Sequence, residues 1–197
     1  MRTLEWFVSV VALIVLSGCA GKDFVRPAPD AFRLGETRSA QVVARLGEPR
    51  KTGDVLTDDK SVKSITYVYA SSGSEPAEEG VIPARGLTYY FYDDRMVGQE
   101  FISSFKADSS NFDETKLETL KKGKTTRAAV IQALGSPTAS FIPPMVKSTS
   151  GEAIGYTYTA TRGGLFSGFR VQVKSLRVSF DESDVVSDID YKAAGSR

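Results

Sequence analysis

Leu34-Gly-Glu-Thr-Arg-Ser-Ala-Gln-Val-Val-Ala-Arg-Leu-Gly-Glu-Pro49 and, 88 residues later, Lys122-Gly-Lys-Thr-Thr-Arg-Ala-Ala-Val-Ile-Gln-Ala-Leu-Gly-Ser-Pro137 are one stretch written twice. Seven of the sixteen positions are identical: Gly35/Gly123, Thr37/Thr125, Ala40/Ala128, Val42/Val130, Leu46/Leu134, Gly47/Gly135 and Pro49/Pro137. A repeat dictates architecture, so this stretch decides the fold. Thr37 and Thr125 stand where an N-cap hydroxyl would accept from the first free helix amides, and Gly35 and Gly123 permit a sharp turn just before them. Ala40, Val43 and Leu46, with Ala128, Ile131 and Leu134, recur at three-residue spacing and predict an apolar stripe. Gly47 and Gly135 suit a left-handed residue at the helix end, and Pro49 and Pro137 forbid continuation. The spacing predicts a short helix of about nine residues in each copy, packed on something else.

The same shift works outward. Residues 92–94 fall on 180–182 and 97–101 on 185–189, a strand, an acidic turn and a strand in both copies. Upstream, 64–70 and 154–161 alternate and are rich in Tyr and Thr, which predicts a first strand. A leading helix is clear at 112–121, with Phe112, Leu117 and Leu120, and is reduced to 30–34 in the first copy. The expected fold class is α+β: two tandem repeats, each two short helices on a three- or four-stranded antiparallel sheet. The first spans 32–105, the second 112–191, and 192–197 form a tail.

Leu176, Val178 and Phe180 alternate with Ser175, Arg177 and Ser179, so one face of that strand is buried and the other wet. Carried back by 88, the buried face becomes Thr88, Tyr90 and Tyr92, and the outward face Leu87, Tyr89 and Phe91. An apolar outward face needs a cover. Leu87, Tyr89 and Phe91, with Ile102, are therefore the candidate partner-binding patch; the alternative is that this face packs on the other repeat or on the loop 71–85. The segment 161–170 has three Gly and two flanking Arg but lacks the spacing of a phosphate loop, and reads as a flexible hairpin connection. Asp93-Asp94 and Asp181-Glu182-Ser183-Asp184 read as tight turns, where Asp tolerates the backbone geometry, and no metal site is expected.

The Gly, Thr, Val, Leu, Gly and Pro of 35–49 and 123–137, followed by Tyr- and Phe-rich strands with a Phe/Tyr-Asp turn, resemble the signature of the SmpA/OmlA (BamE-like) outer-membrane lipoproteins. Members of that family carry two helices on one face of a three-stranded sheet, usually once. The tandem is similar in arrangement to the secreted beta-lactamase-inhibitor proteins, whose halves present a concave sheet to a partner.

The beginning of the chain agrees with the first resemblance. Met1-Arg2-Thr3 precedes an apolar stretch at 6–16, which at 1.5 Å per residue is too short for a bilayer core of roughly 30 Å and reads as a secretory signal peptide, 1–18. Leu16-Ser17-Gly18-Cys19 resembles the lipobox of bacterial lipoproteins, which implies cleavage before Cys19 and acylation of its thiol. Ala20, in place of the Asp of an inner-membrane retention signal, implies outer-membrane sorting. Residues 19–31, with Pro27 and Pro29, read as a tether.

Composition closes off other functions. The chain has 197 residues, 25 basic and 24 acidic side chains, one Cys and no His. A net charge of +1 supplies no basic field for nucleic acid. Without His there is no Ser-His-Asp triad, Cys-His pair or His-ligated zinc, and a single Cys makes no internal disulfide. No Gly-x-Ser-x-Gly or Ser-x-x-Lys stands in a convincing context, so no enzyme activity and no cofactor are expected. The expectation is a lipid-anchored scaffold on the periplasmic face of the outer membrane. It would bind an outer-membrane or periplasmic protein in outer-membrane assembly or integrity. The alternative is an inhibitor or accessory lipoprotein of a secretion or cell-wall system, working through the same tandem sheet.

Overall fold

The computed structural model describes residues 21–57, 59–147, 151–164 and 166–195. The signal peptide and Cys19 lie outside the described residues. In chain order the elements are α1 (Ser39–Leu46), β1 (Lys51–Thr57), β2 (Lys60–Ala70), β3 (Ala84–Tyr92), β4 (Arg95–Ser103), 3-10 turns at Lys106–Asp108 and Glu114–Thr119, α2 (Arg127–Leu134), β5 (Ala139–Phe141), β6 (Glu152–Gly164), β7 (Gly168–Phe180) and β8 (Val186–Ala194). The class is α+β. All eight strands form one antiparallel sheet in sequence order, with β1 and β8 at its edges.

Both helices begin one residue later than expected. Arg38 and Thr126 are the N-caps, not Thr37 and Thr125. The two threonines do something else: their hydroxyls accept from the amides of Arg33 and Lys121 at 2.8 Å each and close the turn that leads into the helix. Their carbonyls accept from the amides of Met96 and Val186, both at 2.8 Å, while the amides of Gly35 and Gly123 donate back to the Met96 and Val186 carbonyls at 2.7 and 2.8 Å. Backbone exchange, not a cap, ties each motif to a strand. Gly47 and Gly135 end the helices at φ 83° and 85°, a region where a side chain is strained. Their carbonyls accept from the hydroxyls of Tyr67 and Tyr156 at 2.8 and 2.9 Å.

The buried side of each helix also differs from the expected stripe. Val42 and Val130 are fully buried, Val43, Leu46, Ile131 and Leu134 pack beside them, and Ala40 and Ala128 face solvent. Two cores result on the same side of the sheet. Val42 and Phe32 cover Ile65, Tyr67, Leu87, Tyr89 and Phe91. Val130, Phe112 and Leu120 cover Ile154, Tyr156, Leu176, Val178 and Phe180.

β1 was not expected; its side chains are mostly exposed, and pairing with β2 holds it. β5 is only three residues long, yet Gly98, Gln99 and Glu100 pair with one side of it and Ala153, Ile154 and Gly155 with the other. It therefore welds the strands before it to those after it. The Phe141 ring explains two glycines. A Cβ at Gly98 would lie 2.7 Å from Phe141 Cδ1, and one at Gly155 would lie 3.0 Å from Ala139 Cβ and 3.3 Å from Phe141 Cε2, so bare backbone gives the ring room over both strands, most of all at Gly98. The Arg177 guanidinium caps that ring at 4.3 Å. The acidic turns hold as expected: Asp93, Asp94 and Asp184 have φ of 49°, 56° and 62°. Asp94 also accepts from the Ser39 amide and hydroxyl, and Asp184 from Arg127, so each turn fastens the start of a helix.

Candidate partner-binding surface

Leu87, Tyr89 and Phe91 are 3, 1 and 2 % exposed, beneath α1, with Phe32 set edge-on to Tyr89 at 5.2 Å. They are core, and the expected docking patch is not made of them. The reason is register. The motifs correspond at a shift of 88 residues, but Ile65, Tyr67, Leu87 and Tyr89 occupy the places of Ile154, Tyr156, Leu176 and Val178, a shift of 89. One extra residue between Pro137 and β6 exchanges the faces, because strand side chains alternate with period two. Ile102 lies on the opposite face, paired with Gly86 and half-buried. Gly35, Thr37, Gly47, Pro49, Gly123, Thr125, Gly135 and Pro137 all lie in the two helix motifs, where they shape turns and helix ends.

The opposite face is the available one. Its lower half is roofed by 142–147: Met145 and Val146 are buried on Val62, Val97, Phe141 and Ala153, the Ile142 amide donates to the Val97 carbonyl at 2.9 Å, and the Arg177 guanidinium of β7 donates to the Met145 carbonyl at 3.0 Å. Its upper half is a polar row across five strands. Thr66 and Thr88 hydroxyls meet at 3.1 Å. Thr157 donates to Glu100 Oε1 at 2.7 Å and meets Ser175 at 3.2 Å, and the Tyr90 hydroxyl donates to Glu100 Oε2 at 3.3 Å. Burial, reinforced by the Glu100 carboxylate, pushes the Tyr90 pKa well above its ordinary value. Neutral Tyr90 therefore remains a donor, and Glu100 is held as an acceptor in the middle of the row.

Above this row the neighbouring strands end within two residues, β8 at Ala194 opposite Val173, and β6 and β7 continue as a hairpin. The segment expected as a flexible connection is mostly strand: β6 runs to Gly164 and β7 starts at Gly168. Phe169 and Val171 are 59 and 44 % exposed, and Phe166 at the tip is fully exposed. The sequence signal is the alternation of Phe169, Val171 and Val173 with Arg170, Gln172 and Lys174, which reading the segment as loop passed over.

The helix face is further covered by residues 21–31, expected as a tether. Gly21 bridges to Tyr69, the Arg85 guanidinium donates to the Phe24 carbonyl at 3.0 Å, and Arg26 donates to the Pro137 carbonyl at 3.2 Å while lying 4.9 Å over the Phe101 ring. Between this segment, Tyr89, Phe101 and Ile131 remains a cavity of about 460 Å³. Another of about 290 Å³ lies beside Tyr158, whose buried hydroxyl has no hydrogen-bond partner among the described residues; burial and then the nearby Glu78 carboxylate raise its pKa.

The fold is one antiparallel sheet with helices on one side and a polar face on the other. Residues 111–190 match the family described as outer membrane protein assembly factor BamE domain. The resemblance to the SmpA/OmlA (BamE-like) proteins thus holds over that stretch, which is less than half of the chain. No curated protein matches. Among solved structures, one from Streptococcus mutans described as a "putative beta-lactamase inhibitor protein" is 14 % identical over 79 % of this chain and 82 % of its own, with a TM-score of 0.39. That likeness is too distant to carry an argument about function.

Proposed function

We propose that this protein is a non-enzymatic, lipid-anchored scaffold on the periplasmic face of the outer membrane that binds envelope proteins during outer-membrane assembly. The observation that carries the reading is the BamE-domain match over 111–190. Leu16-Ser17-Gly18-Cys19 supports the anchor and the address, with Cys19 the acylated residue. The chain is one unit used twice, 32–105 and 112–191: Gly35/Gly123, Thr37/Thr125, Gly47/Gly135 and Tyr67/Tyr156 make the same bonds in both halves. Each unit then has four strands, β5 being the short counterpart of β1.

The partner meets the bare upper half of the sheet face, around Thr66, Thr88, Glu100, Ile102 and Ser175, all partly exposed. Partly solvated hydroxyls flanking an acceptor offer hydrogen bonds that a complementary surface completes, with few charges to desolvate. The double substitution Thr88→Arg, Ser175→Arg tests this. Both side chains are partly exposed on the open face, where a longer side chain can extend into solvent. Solubilised in mild detergent, the wild-type protein is expected to co-purify with outer-membrane assembly proteins and the double variant to lose them at unchanged thermal stability. Recovery of a secretion or cell-wall component in their place would favour an inhibitor or accessory role. Equal recovery by both proteins would remove the bare face from the account.

A further inference from the structure

The β6–β7 hairpin stands at the same end of the sheet as the start of the described chain. Gly21 bridges to Tyr69, and Tyr69, Arg85 and Ser103 form one row across β2, β3 and β4. The loop from β2 to β3 leaves that end and reaches β6, where Val81 bridges to Arg162 and the Ile82 amide donates to the Thr161 carbonyl at 2.8 Å. From Tyr158 to Gly164 the hairpin climbs six residues, about 20 Å at strand rise. Gly21 is the first described residue, and Cys19 precedes it by two positions in the sequence.

The hairpin is also two-faced. Phe169, Val171 and Val173 share one side, on which Phe169 and Val171 are exposed, and Phe166 extends the apolar surface to the tip. Arg162, Arg170, Gln172 and Lys174 share the other. Arg162 is held by Glu78 and Gln172 and Lys174 by the Phe112 carbonyl, while Arg170 is exposed with no partner among the described residues. Residues 163–171 include Arg170 and no acidic side chain. Aromatic rings beside unpaired Arg suit the boundary between acyl chains and anionic headgroups, where rings bury and guanidinium groups reach back to phosphate.

We propose that the β6–β7 tip is a second membrane contact: with the chain held at a bilayer through Cys19, Phe166, Phe169 and Val171 enter the headgroup boundary and Arg170 pairs with lipid phosphate. This rests on the anchored reading above. Two points of contact fix the sheet's tilt and present its polar face parallel to the membrane normal, where one acyl-linked point would leave it swinging.

Trp6 is the chain's one tryptophan and lies in the signal peptide, so a chain beginning at Cys19 has none. That chain is coupled through its single thiol to a maleimide headgroup in vesicles of phosphatidylethanolamine and phosphatidylglycerol, carrying Phe169→Trp or, as a control at the opposite end of the sheet, Leu56→Trp. The expected result for Phe169→Trp is a blue-shifted indole emission, quenched roughly twofold by bromines high in the acyl chains, the depth of about 5–10 Å at which interfacial apolar faces sit. The emission of the Leu56→Trp control is expected to be unaffected, and adding Arg170→Glu to Phe169→Trp is expected to weaken the quenching. Quenching of the tip indole no greater than that of the control would overturn the proposal, as would a blue shift that needs only protein concentration, which would assign the tip to a second copy. Mass analysis of Cys19 in the native protein tests the anchor separately.

Discussion

At the scale of the residue, what the chain lacks sets its response to pH. With no His, no side chain has an ordinary pKa between 5 and 8, and stability is expected to be flat there. Acid acts through surface carboxylates. Side-chain and backbone hydrogen bonds from Ser39 hold Asp94 below its ordinary 3.8, and Lys122 does the same for Asp188. A carboxylate with a depressed folded-state pKa contributes stability above the unfolded value and loses it as pH falls through the folded one. Denaturation midpoints should therefore drop only below about pH 4, and Asp94→Asn should flatten that drop. Base acts through tyrosines. Burial pushes Tyr156 up to about 12 and raises Tyr67, Tyr89 and Tyr158 as well. Their neutral forms contribute stability that is lost as pH rises from about 10 towards about 12. Ionisation of these four tyrosines, followed by difference absorbance against their Phe variants, should appear late and together with loss of circular dichroism; their titration near pH 10 without unfolding would contradict the buried placement. The repeated Thr and Gly were legible as positions of consequence. Their bonds were not, because one residue separates a cap from a turn lock.

At the scale of the element, the helix motifs, the acidic turns and most strands could be read from sequence, since each carries a local signal. The faces of β3 could not. A single inserted residue is invisible in helix matching, yet it turns every strand side chain over, and Leu87, Tyr89 and Phe91 moved from expected surface to core for that reason alone. β1 escaped notice because an edge strand with mostly exposed side chains carries no burial pattern, and β5 because three residues carry no period. β5 nonetheless holds the weld. Phe141 fills the space over Gly98 and Gly155, and Phe141→Ala is expected to cost about 3–5 kcal/mol, a fall in Tm on the order of 10 °C. A fall comparable to that of an exposed substitution such as Val68→Ala would show that the two halves do not depend on this ring. Gly98→Val should destabilise as well, by crowding.

At the scale of the whole molecule, the expected pair of domains is one continuous sheet. Two helix-covered cores share their sheet, and a third cluster, Val62, Val97, Phe141 and Ala153 with Met145 and Val146, spans the join on the other face. Calorimetry should accordingly give a single transition with equal calorimetric and van't Hoff enthalpies, where two independent domains would give two. The fusion gives one face to the helices and the segment 21–31, and we propose that the other meets a partner. Site-directed photo-crosslinking in intact envelopes tests that division most directly, with the crosslinker placed in turn at Ile102 and Ser175 on the bare face and at Ala44 and Gln132 on exposed helix positions. The account predicts a defined adduct with an outer-membrane assembly protein from the first pair and none from the second; adducts from the helix positions alone would contradict it.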